Sequence, residues 1–227
     1  MQEGLRLEEL GEIPFDEKEI LRYAMLPSFA SAPEELPLRE CLAAAKGAAQ
    51  CRAVWRRYPL ARDGEGLDLG FARTDSRDLR QHLEGCGEIL LFACTAGAET
   101  DRRIARAKLQ SPAKGLLMHA IGAQQVEGGC DRLCRRLAEA FPDRQLTDRF
   151  SPGYGDLPIE LQRDVFRVLE CARWIGLTLN ESLMMSPTKS VTAIVGLGCG
   201  AARESAGCRA CGKTDCLYRK ERGHENH

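Results

Sequence analysis

Residues 111–141 carry one uninterrupted helical pattern, and any fold for this chain must supply a core long enough to cover its apolar stripe. Ser111-Pro112 opens the pattern with proline in the first turn, where its missing N–H costs nothing. Leu116, Leu117, Ala120, Ile121, Cys130, Leu133, Cys134 and Leu137 then recur at helical spacing and define the side to be buried. Gly128-Gly129 sits inside the pattern, directly after Glu127. Each glycine weakens a helix by roughly 1 kcal/mol relative to alanine. Two readings follow for the pair: close packing of another part of the chain, or a ligand lying against the helix.

A second feature sets the fold class. Glu88-Ile89-Leu90-Leu91-Phe92-Ala93-Cys94 is a continuous apolar run of strand length, the pattern of a central strand buried on both faces. It leads through Thr95-Ala96-Gly97 into a helix containing Ile104 and Leu109. Upstream, residues 1–14 read as irregular chain or a short strand. Asp16 and Glu19 resemble the reciprocal caps of a helix running through Ile20, Leu21 and Ala24 to Pro27. A second helix is predicted from Leu36 to Gln50, and a strand over Cys51–Arg56. Asp63-Gly64-Glu65-Gly66 is a turn before Leu67-Asp68-Leu69, and Thr74-Asp75-Ser76 caps a short helix ending near Gly85-Cys86-Gly87. Downstream, Pro158 starts a helix through Leu161, Val165, Leu169 and Ala172 that Gly176 stops. Strands follow over Leu177–Leu179 and Val191–Val195. Helices and strands mix without strict βαβ alternation, which predicts an α+β fold.

The chain of 227 residues suffices for one large core or two small domains. A formal net charge of -1 argues against broad nucleic-acid binding. No apolar run approaches the roughly 20 residues of a membrane span, and the first residues lack a basic stretch followed by an apolar core. The cysteine count is 11, an odd number that fits reduced thiols better than a disulfide framework. Cys41, Cys51, Cys86, Cys94, Cys130, Cys134 and Cys171 are scattered through apolar patterns as small buried residues. A reducing, cytoplasmic setting is expected.

Between the long helix and the next one lies Arg149-Phe150-Ser151-Pro152-Gly153-Tyr154-Gly155-Asp156. Pro152 fixes its own φ, while Gly153 and Gly155 open backbone conformations closed to other residues. The composition suits an ordinary interhelical turn. It equally suits a cradle in which a guanidinium and an exposed backbone seize a ligand bearing a carboxylate and a flat ring.

Arg149-Phe150-Ser151-Pro152-Gly153-Tyr154 resembles the Arg-x-x-Pro-Gly-Tyr loop of the activation domain of cobalamin-dependent methionine synthase, in its short, free-standing bacterial form. Leu179-Asn180-Glu181-Ser182, followed by Met185 and Pro187, resembles that family's Leu-Thr-Glu-Ser segment and the strand after it. Leu91–Gly97 and the helix carrying Glu127 are also similar to free-standing members. The likeness covers residues 85–198 well and residues 15–84 loosely.

The resemblance implies a twisted antiparallel sheet flanked by helices, with S-adenosylmethionine held in a surface groove. It implies Arg149 as anchor for the ligand's carboxylate, the backbone of Ser151 and Gly153 against the adenosine part, and Tyr154 facing the cobalt. Glu127 takes the place of an acidic residue that contacts the ligand from the long helix. A further family carboxylate before the loop has only Asp143 as a candidate here. The implied reaction is reductive reactivation. Cob(II)alamin takes one electron from a flavodoxin or ferredoxin-like donor, and cob(I)alamin then takes the methyl group of S-adenosylmethionine. A planar guanidinium holds a carboxylate bidentately, and in-line methyl presentation is a matter of positioning. The sequence departs from the larger enzymes in lacking an Asp-x-His-x-x-Gly cobalamin motif. The corrinoid is therefore expected on a separate methyltransferase, with this chain acting in trans.

Residues 1–198 are thus expected to form the activation-domain-like unit and residues 199–227 a Cys-rich segment. Cys199, Cys208, Cys211 and Cys216 form C-x8-C-x2-C-x4-C among glycines. Four thiolates in this spacing suit zinc or an iron–sulfur cluster, and reduced thiols in a polar tail are the alternative. Two other functional classes remain open on sequence: a non-catalytic interaction module that caps a corrinoid protein, and an iron–sulfur electron-transfer activator of one.

Overall fold

The apolar run at residues 88–94 lies in strand β6 (Cys86–Thr95), and every side chain from Ile89 to Cys94 is fully buried. Side chains of a strand alternate between faces. Ile89, Leu91 and Ala93 enter one core, and Leu90, Phe92 and Cys94 enter another on the opposite side. This double burial places β6 in the middle of a five-stranded, wholly antiparallel sheet in a computed structural model that describes residues 4–26, 37–64 and 66–198.

The other strands of the sheet are β1 (Arg6–Gly11), β2 (Cys51–Pro59), β7 (Gln145–Leu146) and β10 (Ser190–Gly198). Their order is β1-β2-β6-β10-β7. The registers are fixed by pairs such as Leu7 with Val54, Trp55 with Phe92, and Ala93 with Thr192. A small sheet of β3 (Ala61–Asp63), β4 (Gly66–Asp68) and β5 (Arg73–Thr74) contains the predicted turn at residues 63–66. A two-stranded ribbon joins β8 (Thr178–Leu179) to β9 (Met185–Ser186).

Helices cover both faces. The helical pattern of residues 111–141 becomes α5 (Pro112–Ala140), whose 29 residues span about 44 Å at 1.5 Å per residue. Its second half lays Val126, Cys130, Leu133 and Leu137 on the Leu90–Phe92–Cys94 face. Its first half packs Leu117, Ala120 and Ile121 against α1 (Glu17–Tyr23), α2 (Leu38–Ala45) and α4 (Ala98–Gln110). One helix therefore serves two cores, which is why the pattern is so long. The glycine pair lets α5 lie close against Ile13, just beyond β1, and against Cys51 of β2. A Cβ on Gly128 would lie 2.6 Å from Ile13 Cγ2, and one on Gly129 3.2 Å from Cys51 Sγ. Packing of protein against protein occupies these positions.

The far face of β6 is covered by α3 (Arg77–His82), α6 (Gln162–Val168) and α7 (Cys171–Ile175). The single helix expected from Pro158 to Gly176 is divided. Glu170 adopts a left-handed conformation (φ 46°) and shifts the helical phase. Cys171 and Ile175 are consequently buried, and Ala172, expected on the inner side, is exposed. Leu116 is likewise partly exposed at the start of α5. Helix α2 is shorter than expected, because the chain leaves helical geometry at Lys46 (ψ 129°) before entering β2.

Candidate functional site

Strand β7 leaves the sheet edge at Leu146 and delivers the chain to Arg149. Phe150 then pairs with Ile194 of β10, donating to its carbonyl at 2.9 Å and accepting from its N–H at 2.8 Å. This bridge fixes the start of the loop. It directs the Arg149 side chain across to α5, where Nη2 lies 2.9 Å from Glu127 Oε2 and 3.1 Å from Asp131 Oδ1. Glu127 and Asp131 are four residues apart and so share one face of the helix. Nη1 reaches the Glu127 carbonyl at 3.5 Å, and the Nε edge has no partner among the described residues. Burial works against the charge of Arg149, but the acidic groups of Cys130, Glu127 and Asp131 outweigh it and push its pKa up. The guanidinium stays charged and partly open.

The loop then folds on itself. Tyr154 N–H donates to the Ser151 carbonyl at 3.0 Å, Leu157 N–H to Tyr154 at 3.0 Å, and Gly153 N–H to Leu157 at 2.9 Å. Gly153 adopts φ 90°, which a side chain would resist. The Ser151 carbonyl and Gly153 N–H are thus taken within the loop, whereas Ser151 N–H and the Gly153 carbonyl have no partner among the described residues. The Tyr154 ring projects outward, 59% exposed, with only its edge on Phe150 (6.2 Å between centroids). Phe150 in turn rests on His82 at 5.1 Å, and His82 Nε2 donates to the Asp148 carbonyl at 2.8 Å.

The end of the loop has a structural task that the sequence concealed. The Asp156 carboxylate accepts from Ser76 Oγ, from Arg77 N–H at 2.8 Å and from Asp78 N–H at 3.2 Å, all at the start of α3. Asp78 Oδ2 accepts from Asp156 N–H in return, at 3.1 Å. The bond from Ser76, then those from the backbone, lower the pKa of Asp156.

The structure therefore brings Arg149 and Glu127 together, with the loop backbone following Arg149 in the chain and Tyr154 exposed beyond it. It does not bring Asp143 to Arg149. Asp143 is exposed in the turn after α5, and the second carboxylate on the guanidinium belongs to Asp131. Asp131 lies one helical turn beyond Glu127, and that i,i+4 spacing is the signal in the sequence that places it on the same face. Tyr23 of α1 also borders the site. Burial first and the Glu127 charge second raise its pKa, and Arg22 lies over its ring at 4.4 Å. Nothing local in the sequence pairs Tyr23 with Glu127.

Cys199, Cys208, Cys211 and Cys216 lie outside the described residues. Among the described residues, no group of three or more His, Cys, Asp or Glu side chains could hold a metal ion. The seven other cysteines are free thiols, six of them buried. Burial pushes the thiols of Cys51 and Cys171 up to about 12 and that of Cys134 up to about 11, which suits inert packing residues. No helix of the described residues is long and apolar enough to cross a membrane.

Comparisons with protein-family models and with curated proteins found no match. Among solved structures, the chain is similar to one described as the crystal structure of the MetH reactivation domain bound to AdoHcy. The TM-score is 0.59 and the identity 18%, over 89% of this chain and 81% of that one. The likeness is one of fold: a curled five-stranded antiparallel sheet flanked by helices, as the sequence resemblance implied.

Proposed function

We propose that this chain binds S-adenosylmethionine in the cradle between α5 and the Arg149–Tyr154 loop. In this role it supports the reductive methylation of cob(II)alamin carried by a separate cobalamin-dependent methionine synthase or related corrinoid methyltransferase. The observation that carries the reading is the 2.9 Å contact between Arg149 and Glu127, two residues 22 positions apart that the sequence resemblance singled out independently. Support also comes from the fold neighbour, whose own ligand is AdoHcy.

Each group then has a task. The unpartnered Nε–H of Arg149 takes the ligand's carboxylate, with Glu127 facing its ammonium or ribose hydroxyls. Ser151 N–H and the Gly153 carbonyl take the adenosine part. Tyr154 stands exposed where a corrin ring on the partner would approach, so that the methyl group is presented in line with the cobalt. The electron comes from a flavodoxin or ferredoxin-like donor in the cytoplasm. Transfer of the methyl group to cob(I)alamin leaves S-adenosylhomocysteine and draws the unfavourable reduction forward. Residues 1–198 would form the binding unit. Residues 199–227 would be a distinct segment whose four cysteines hold zinc or an iron–sulfur cluster, two cases separated by visible absorbance after anaerobic purification.

Calorimetry with S-adenosylmethionine tests the binding step. The chain should bind, and Arg149→Ala should weaken binding by about 10- to 100-fold, the worth of a lost charge-assisted pair. Absence of binding, or an affinity indifferent to Arg149→Ala, would overturn the reading and leave a non-catalytic interaction module.

A further inference from the structure

The cradle holds more negative charge than its arginine can balance. Glu127 and Asp131 both bond Nη2 of the same guanidinium, at 2.9 and 3.1 Å, so the three side chains sum to one net negative charge. The nearby cation Arg22 does not cancel it, because Arg22 is itself paired with Glu19 at 2.6 Å. All three cradle side chains are partly open, with 23%, 37% and 47% of Arg149, Glu127 and Asp131 exposed, so a ligand would feel this charge.

Glu127 already holds Nη2 of Arg149, and Asp131 adds a second anchor together with a second charge. The second carboxylate therefore has a consequence beyond orientation. An α-amino acid head group is zwitterionic and brings no net charge. The rest of the ligand decides whether the residual negative charge is answered: a sulfonium answers it, and a thioether does not. We propose that Asp131 is a positioning and charge-selecting residue that makes the cradle prefer the sulfonium ligand over the neutral thioether left after methyl transfer. Such a preference clears the spent product from the site. The inference rests on the proposed S-adenosylmethionine site and deepens it.

The test measures affinities of the full chain for S-adenosylmethionine and S-adenosylhomocysteine by calorimetry, in wild type, Asp131→Asn and Asp131→Ala, with thermal unfolding to establish that each variant is folded. Asparagine keeps an oxygen acceptor for Arg149 and removes only the charge. One unit of charge acting through partly solvated groups is worth roughly three- to tenfold in affinity. Asp131→Asn should therefore weaken S-adenosylmethionine by that factor and leave S-adenosylhomocysteine within about twofold, while added salt narrows the wild-type preference. Asp131→Ala should also weaken both ligands, because Arg149 loses an anchor. Equal effects of Asp131→Asn on the two ligands, or none on either, would overturn the inference while leaving the binding site intact. A wild-type chain that binds neither ligand would overturn the site itself.

Discussion

Gly155 lies so close to Asp78 that a Cβ there would sit well inside van der Waals contact with the Asp78 carboxylate. Gly155 also adopts φ 52°, a left-handed conformation that favours glycine. Asp78 is not free to withdraw, since it accepts the Asp156 N–H. Gly155→Ala should therefore destabilise the protein by about 2 kcal/mol, combining backbone strain with a broken contact. Chemical denaturation would measure it, and a variant as stable as wild type would contradict the geometry.

Asp156 ties the loop to the first amides of α3, and its carboxylate is held below the ordinary value of 3.8. A depressed carboxylate contributes stability above its unfolded pKa and loses it as pH falls through the folded one. Asp156→Asn should lower the unfolding temperature at pH 7. The gap from wild type should narrow as pH falls below 3.8 and close once it has passed through the lower folded value, where both proteins carry a neutral side chain. A gap unchanged by acid would show that charge is not the cause.

Alanine is the better helix former, yet Gly128→Ala should destabilise. The gain of about 1 kcal/mol in helix propensity is opposed by a Cβ placed 2.6 Å from Ile13 Cγ2 on a stiff, buried side chain. A net loss of about 1–3 kcal/mol is expected from overpacking. Shortening the opposing residue with Ile13→Ala in the same chain should recover part of it. A stabilised Gly128→Ala protein would mean that α5 stands farther from Ile13.

Lys189 is a buried amine whose partner is an imidazole, with Nζ 3.1 Å from His119 Nε2 and 3.2 Å from Nδ1. Asp101 favours its charge and Lys108 opposes it, but burial dominates and pushes the pKa down from 10.5 to about 8. The unfolded chain binds the extra proton between those two values, so the penalty is complete below pH 8 and fades as pH rises toward 10.5. Lys189→Met should therefore be more stable than wild type at pH 7, by about 1 kcal/mol. The margin should shrink from pH 8 upward. Buried thiols lose stability in alkali too, but equally in both proteins, so the difference reports Lys189.

Sequence alone determined the pieces that depend on local pattern. The double-faced burial of β6 followed from an apolar run with no polar alternation, and the extent of α5 from a stripe that begins at a proline. Ser76 and Asp16 cap their helices as their position before helical patterns implied, accepting from Leu79 N–H at 3.0 Å and Glu19 N–H at 3.1 Å respectively. The loop at residues 149–156 was visible because proline and glycine forbid either neighbouring helix from continuing through it.

Tertiary structure decided everything that joins distant residues. No periodicity tells that Glu170 reverses its backbone and turns Ala172 outward, because that choice is made by the core that Cys171 and Ile175 fill. The spacing sets Asp131 on the helix face of Glu127, but it does not reveal that Arg149 reaches that face and not Asp143. That pairing exists only because the bridge between Phe150 and Ile194 aims the arginine at one face of α5. The sequence could single out Glu127 and Arg149 but not Asp131, and their charge balance is a property of side chains brought within 3.1 Å by packing, of which chain order carries no record.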